Sequence, residues 1–161
     1  VIGQIEGHVE APQGQKTTKY EHVIPQLVAA QEDPRIEGLL VFDIPLHGDA
    51  RGVFVEMLKT QDSGQFSFFT AHPGITRGGH YHHTKTEKFL VIKGSARFGF
   101  RHVVTNECYE VFTSGDKPQM VETVPGWTHD ITNVGDDEMV VMLWANEIFD
   151  RERPDTIASK V

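Results

Sequence analysis

His80, His82, Glu87 and His129 are residues whose types and spacing can hold a cation. His80 and His82 stand two apart in GGHYHH, so on an extended strand both imidazoles project from one face. Four residues separate His82 from Glu87, room for a tight turn through Thr84, Lys85 and Thr86 that returns the carboxylate on the next strand. His129 comes later, behind the Pro125-Gly126 turn of VPGWTHDITN. Three imidazoles and one carboxylate suit a borderline divalent ion such as zinc, nickel, manganese or iron. With a coordination position left open, such an ion polarises a ketone or binds oxygen.

The same residues lie inside a larger pattern. Gly74, five residues, His80-x-His82, four residues, Glu87, six residues and Gly94 form one run. Gly126, His129 and Asn133 form a second, departing from its usual form in having Pro125 directly beside Gly126 and no Gly upstream. In both runs the chain resembles the cupins. That resemblance implies a double-stranded β-helix, and it makes Gly74, Gly94 and Gly126 turn residues with positive φ.

The elements that must position these side chains read as strands. GLLVFDI, GVFVEMLK, QFSFFTA, KFLVIKG, ARFGFRHV, CYEVFTS, QMVETV and EMVVMLWANE are short, β-branched and aromatic, and Gly, Pro, Asp and Asn punctuate them. Strands at this spacing make a sandwich or barrel. The expected fold is all-β, a jelly-roll barrel over residues 39–161 preceded by a short N-terminal extension, residues 1–38. The extension is Gly-, Gln- and Thr-rich at first. YEHVIPQLVAAQEDPR then spaces its apolar residues as a short helix would, with Pro25 in the first turn and an end before Pro34. His8 and His22 in this region read as surface residues.

Composition narrows the function. A chain of 161 residues is long enough for one domain with a real core. The net charge of −8 opposes a nucleic-acid-binding surface, and no apolar run is long enough to span a membrane. Neither a Rossmann-type glycine loop nor a P-loop is present. Cys108 is the sole cysteine, so no internal disulfide forms; it is expected half-buried on a strand. With no apolar leader after Val1, the expected location is the cytoplasm. Arg51, Lys59, Arg77, Lys85, Lys88, Arg97 and Arg101 flank the candidate site and could collect around an anionic substrate.

A closer resemblance runs from about Asp49 to Thr156, through HYHHTKTEKF and WANEIFD. There the chain looks like the C-terminal cupin of the CapF- and WbjC-type capsule and O-antigen enzymes, the UDP-2-acetamido-2,6-dideoxy-hexulose reductases. The resemblance implies a zinc-bearing epimerase acting on carbon 3 of a UDP-4-keto-6-deoxy-N-acetylhexosamine. It also implies an NADPH-dependent reductase domain or protein as partner. RGVFVE and GGHYHH resemble, more distantly, the metal-free dTDP-4-dehydrorhamnose 3,5-epimerases. In that family a His in the place of His80 is the base, and a Lys steadies the enolate where this chain has Glu87, with Lys88 next to it. A carboxylate there cannot steady an enolate but can hold a cation that does.

Together these place His80, His82, Glu87 and His129 on the metal and His80, His83 and Lys88 in catalysis. Arg51, Lys59, Arg77 and Trp127 are assigned to the nucleotide sugar. Asp130 and Tyr81 are further candidates for the base, and Phe98 for stacking. A homodimer is expected through an exposed sheet edge. The rival readings are a metal-free sugar epimerase, an iron-dependent dioxygenase and a non-catalytic sugar-binding cupin.

Overall fold

The computed structural model describes residues 44–161 and, before them, two short strands, β1 (Ala30–Glu32) and β2 (Leu40–Phe42). These two pair antiparallel with each other. Ala30–Glu32 was expected to close a helix and is a strand instead. Pairing with Leu40–Phe42 satisfies its backbone groups, a contact that local apolar spacing does not reveal. The remainder of the expected helix, His8, His22 and the boundary at residue 38 lie outside the described residues. Among those described there is no helix, and so none long and apolar enough to cross a membrane.

Two antiparallel sheets make the barrel. The six-stranded sheet runs in the order β10 (Met120–Thr123), β7 (Glu87–Lys93), β12 (Met139–Ala145), β5 (Gly64–Ala71), β4 (Gly52–Thr60) and β3 (His47–Asp49). The five-stranded sheet runs β13 (Ile157–Ala158), β6 (Thr76–Tyr81), β11 (Trp127–Asn133), β8 (Ser95–His102) and β9 (Cys108–Ser114). Strands far apart in sequence lie side by side, β7 against β12 and β6 against β11, which is the interleaving of a jelly roll. All eight expected strand segments are present.

Alternation along the strands decides what faces inward. On β7, Glu87, Phe89 and Val91 are buried, whereas Leu90 is only partly covered and Ile92 is exposed. Phe89 meets Phe98 of β8 edge-on, ring centres 5.9 Å apart, so the two sheets pack through aromatic contact. Phe98 is fully buried: it is core, not a stacking platform for substrate.

The filling changes character from one end of the barrel to the other. Ala71, Val91, Phe98 and Met139 close one end with apolar atoms. Towards the other end β5, β7 and β11 carry Ser67, Gln65, Glu87 and His129, all buried and polar. Buried polar groups are costly unless paired, so this end is either a network or a site.

Asn133, 1% exposed, ends β11. Its amide donates to the carbonyls of Ala71 and Asp137 at 2.9 and 2.8 Å and its oxygen accepts from the Gly135 amide, fastening β11 to β5. Its place in the second motif is therefore structural. Gly74, Gly94 and Gly126 all have positive φ, as their turns require.

Candidate metal centre and its pocket

The strand that carries the first two histidines contains a bulge. Ile131 of β11 faces Arg77 and Asp130 faces Gly78, but His129 faces His80, leaving Gly79 as the extra residue on β6. Gly78 and Gly79 both have positive φ, 90° and 74°. The bulge changes the strand's phase. Arg77 points inward, its guanidinium 5.3 Å from the centre of the core ring of Phe69, and regular alternation would have sent His80 outward. With one residue inserted, His80 and His82 point inward as well.

His82 lies just past the end of β6, and its carbonyl accepts from the Gly126 amide at 2.9 Å. The two sequence motifs thus touch through backbone, the turn of the second bracing a ligand of the first. Glu87 opens β7, and His129 sits on β11 directly opposite Phe100.

One ligand atom from each of His80, His82, Glu87 and His129 lies within 4.8 Å of the others. The Nε2 atoms of His82 and His129 are each 3.1 Å from Oε2 of Glu87, and that of His80 is 4.0 Å away. His80 is the most open of the three histidines, at 24% side-chain exposure against 3% and 2%.

The second ring nitrogens bear on whether this set fits a cation. Nδ1 of His82 bonds to the Asp155 carbonyl and Nδ1 of His129 to the Trp127 carbonyl. A carbonyl only accepts, so each Nδ1 carries a proton, which leaves Nε2 as the ring atom that would ligate an ion. A carboxylate oxygen 3.1 Å from both Nε2 atoms is satisfied either by a proton on Nε2 or by a positive charge standing among the three groups. A divalent ion supplies that charge, and the residues fit one.

Without an ion, the histidines serve as hydrogen-bond donors to Glu87. Burial on its own would raise the Glu87 carboxyl, but bonding to His129, His80 and His82 outweighs it and holds the group far below the usual carboxylate range. Burial lowers His80, partly offset by Glu87, and so favours the neutral, ligating ring.

The cluster opens into a cavity of about 470 Å³. Its walls include Arg51, Glu56, Lys85, Glu147, Leu143 and Phe149. Lys85 is 5% exposed, with its ammonium 5.5 Å from the centre of the Phe149 ring and no ion pair to a described carboxylate. The catalytic lysine was sought at Lys88. Strand alternation sends Lys88 to the outer face, where it pairs with Glu122 at 2.5 Å. Lys85, two residues before Glu87, reaches the pocket instead.

Of the other expected site residues, His80 and Arg51 line the cavity. Arg51 is half-committed, since Asp49 holds its guanidinium in an exposed ion pair and is itself lowered to about 2 by that bond. Lys59 stands one step back, paired at 2.6 Å with the lining residue Glu56. Arg77 is not among the residues lining the pocket; its Nε donates to the Thr70 carbonyl. Trp127 packs against His102 and Tyr109, apart from the cavity lining.

His83 lies on the turn, largely exposed, with Nδ1 3.1 Å from Asp155. Asp130 is on the outer face with Arg97, and Tyr81 packs on His83. None of these three lines the pocket. Cys108 is exposed rather than half-buried, because β9 is an edge strand.

An antiparallel double-stranded barrel with a three-histidine, one-glutamate cluster inside one end is a cupin. Within that class, residues 47–157 match the family described as polysaccharide biosynthesis C-terminal domain, and the chain belongs to that family. Over 120 residues it is 74% identical to the UDP-2-acetamido-2,6-beta-L-arabino-hexul-4-ose reductase of Pseudomonas aeruginosa, covering 74% of this chain and 32% of that protein. The crystal structure of the capsular polysaccharide assembling protein CapF from Staphylococcus aureus superposes with a TM-score of 0.74 at 46% identity, covering 75% of this chain and 35% of that one. The chain therefore spans about a third of the length of these relatives. A stretch of 62 residues is also 52% identical to the translocation-enhancing protein TepA of Halalkalibacterium halodurans, covering 37% of this chain and 24% of that protein.

Proposed function

We propose that the barrel is a metal-assisted epimerase, inverting carbon 3 of a UDP-4-keto-6-deoxy-N-acetylhexosamine during capsule or O-antigen sugar synthesis. The observation that carries this reading is one cavity lined by three of the four convergent residues, His80, His82 and Glu87, and by the buried Lys85. Kinship to a reductase of a 4-keto hexosamine supplies the substrate class.

Epimerising beside a ketone means removing a weakly acidic C–H, holding the charge as an enolate and returning a proton from the other face. The developing oxyanion needs a positive partner already in place. A divalent ion, zinc in this reading, held by His80, His82, Glu87 and His129, supplies Lewis-acid polarisation of the ketone when bound. Lys85 supplies a second positive charge that no carboxylate among the described residues neutralises. In a partly dry pocket it serves the oxyanion, while the more open Arg51 is left for phosphate.

The base is then sought among groups that line the cavity and do not ligate. Glu56 and Glu147 are its remaining carboxylates. Glu56 accepts from Lys59 and Gln65, and Glu147 from Thr84, so either can exchange a proton while staying fixed in place. The proposed setting is the cytoplasm, with an NADPH-dependent reductase domain or protein consuming the product and a second copy of the barrel as homodimer partner.

The test is solvent exchange at the sugar. Incubated in D2O with a UDP-4-keto-6-deoxy-N-acetylhexosamine, the protein should place deuterium at carbon 3, seen by NMR and mass spectrometry. Binding of the sugar without label would leave a sugar-binding cupin. Oxygen consumption would move the site to the dioxygenases.

A further inference from the structure

We infer that residues Asp155–Lys160 form a strap that shapes the metal-binding turn, with Asp155 as its positioning residue. The inference rests on reading the His80–His82–Glu87–His129 cluster as a metal site.

The turn between His82 and Glu87 must deliver one ligand from each of its ends, yet its successive amides have no strand to bond to. Asp155 takes them. Its carboxylate accepts from the His83 amide at 2.9 Å, the Thr84 amide at 2.8 Å and the Lys85 amide at 3.2 Å. The Thr84 hydroxyl at 3.1 Å and Nδ1 of His83 at 3.1 Å complete the set. Three consecutive amides converging on one anion fix the backbone of a turn as an anion nest does. These bonds hold the Asp155 carboxyl far below its ordinary range although burial opposes them.

The same residue reaches the cluster through its backbone, since the Asp155 carbonyl is the acceptor for Nδ1 of His82. That bond sets the tautomer and points Nε2 at the metal position. The rest of the segment secures the neighbouring strands. Ile157 and Ala158 pair with Tyr81 and His80, and the Ser159 amide donates to Gly79 inside the bulge. The Ser159 hydroxyl bonds Thr128, beside His129, and also accepts from Arg101, which donates to the Lys160 carbonyl as well. A segment that contributes no ligand thus braces His80, His82 and the strand of His129.

The experiment compares zinc affinity of the 161-residue chain with Asp155→Asn, Asp155→Ala and, as a neighbouring control, Glu152→Gln, by competition with a chromophoric chelator. Asn keeps the shape but presents an NH2 where a second acceptor is needed. Both substitutions leave the Asp155 carbonyl in place and remove the anchor of the turn. A loss towards the lower end of the about 10- to 100-fold worth of a ligand's outer partners is therefore expected in both Asp155 variants and not in Glu152→Gln. The visible spectrum of the cobalt-loaded protein should change in the same two variants. Hydrogen exchange at the amides of His83, Thr84 and Lys85 in the metal-free protein should quicken. Thermal unfolding of the metal-free forms separates positioning from general stability: a lowered midpoint with unchanged zinc affinity and cobalt spectrum overturns the strap. A wild-type chain that binds no zinc or cobalt overturns the metal reading itself, and the strap with it.

Discussion

At the scale of single residues, two lysines three apart are expected to behave oppositely. Lys85→Met removes the pocket's buried cation and should lower kcat/KM for the keto sugar by about 10²- to 10³-fold, the range seen when an oxyanion donor is lost. Lys88→Met removes an outer-face partner of Glu122 and should change kcat/KM less than about threefold and stability by about 0–1 kcal/mol. Steady-state kinetics and thermal melts of both variants decide it; equal losses would remove Lys85 from the chemistry. The sequence contained the parity that separates them. Lys85 and Glu87 are two apart, and Lys88 has the opposite parity, so a site built around Glu87 favours Lys85. Spacing borrowed from a family with a lysine near that position pointed to Lys88 instead. The convergence of His80, His82, Glu87 and His129 was legible because side-chain type and period-2 alternation suffice to gather them. Asp155 was not, since nothing local in RERPDT marks a carboxylate whose partners lie about 70 positions upstream.

At the scale of elements, the bulge on β6 is the device that turns the ligands inward. A Cβ on Gly78 would lie 2.9 Å from the His129 carbonyl oxygen, and its φ of 90° is one that L residues rarely adopt. Gly78→Ala is therefore expected to cost about 1–3 kcal/mol and to lower zinc stoichiometry, because strain released by straightening the strand would rotate His80 away. Gly79, with no atom nearer than 3.6 Å to its added Cβ, should tolerate the same change with a smaller loss. Melting temperature and metal content of the two variants test the ranking; an unaffected Gly78→Ala would mean that the bulge is not needed to aim His80. That His80 and His82 share a face was readable in the sequence. Which face was not, because a bulge is a two-strand property and appears only when β11 is laid beside β6. The same limit explains Ala30–Glu32, whose apolar spacing fits a helix until Leu40–Phe42 pairs with it.

At the scale of the whole molecule, the cluster joins the two sheets at the end of the barrel where apolar packing gives out. His80 and His129 belong to the five-stranded sheet, Glu87 to the six-stranded one, and His82 to the turn between them. At the far end Ala71, Phe98, Val91 and Met139 hold the sheets together without help. At the near end that work falls to buried polar groups, three imidazoles around one carboxylate, which a cation would tie together. The metal should thus act as a staple between sheets, and its removal should loosen the structure as well as end the chemistry. A ligand that binds only the folded state adds about 4 kcal/mol when its free concentration is a thousand times Kd. For a domain of this size that is roughly 10 °C in melting temperature. Dialysis against a chelator should lower the midpoint by about that much, and stoichiometric zinc should restore it. The His82→Ala, Glu87→Ala double variant should melt near the chelated wild type and gain nothing from added zinc. If the wild type melts at one temperature with and without chelator although metal content has fallen, the ion serves the pocket alone, and the near end of the barrel is held by strand pairing and the Asp155 strap.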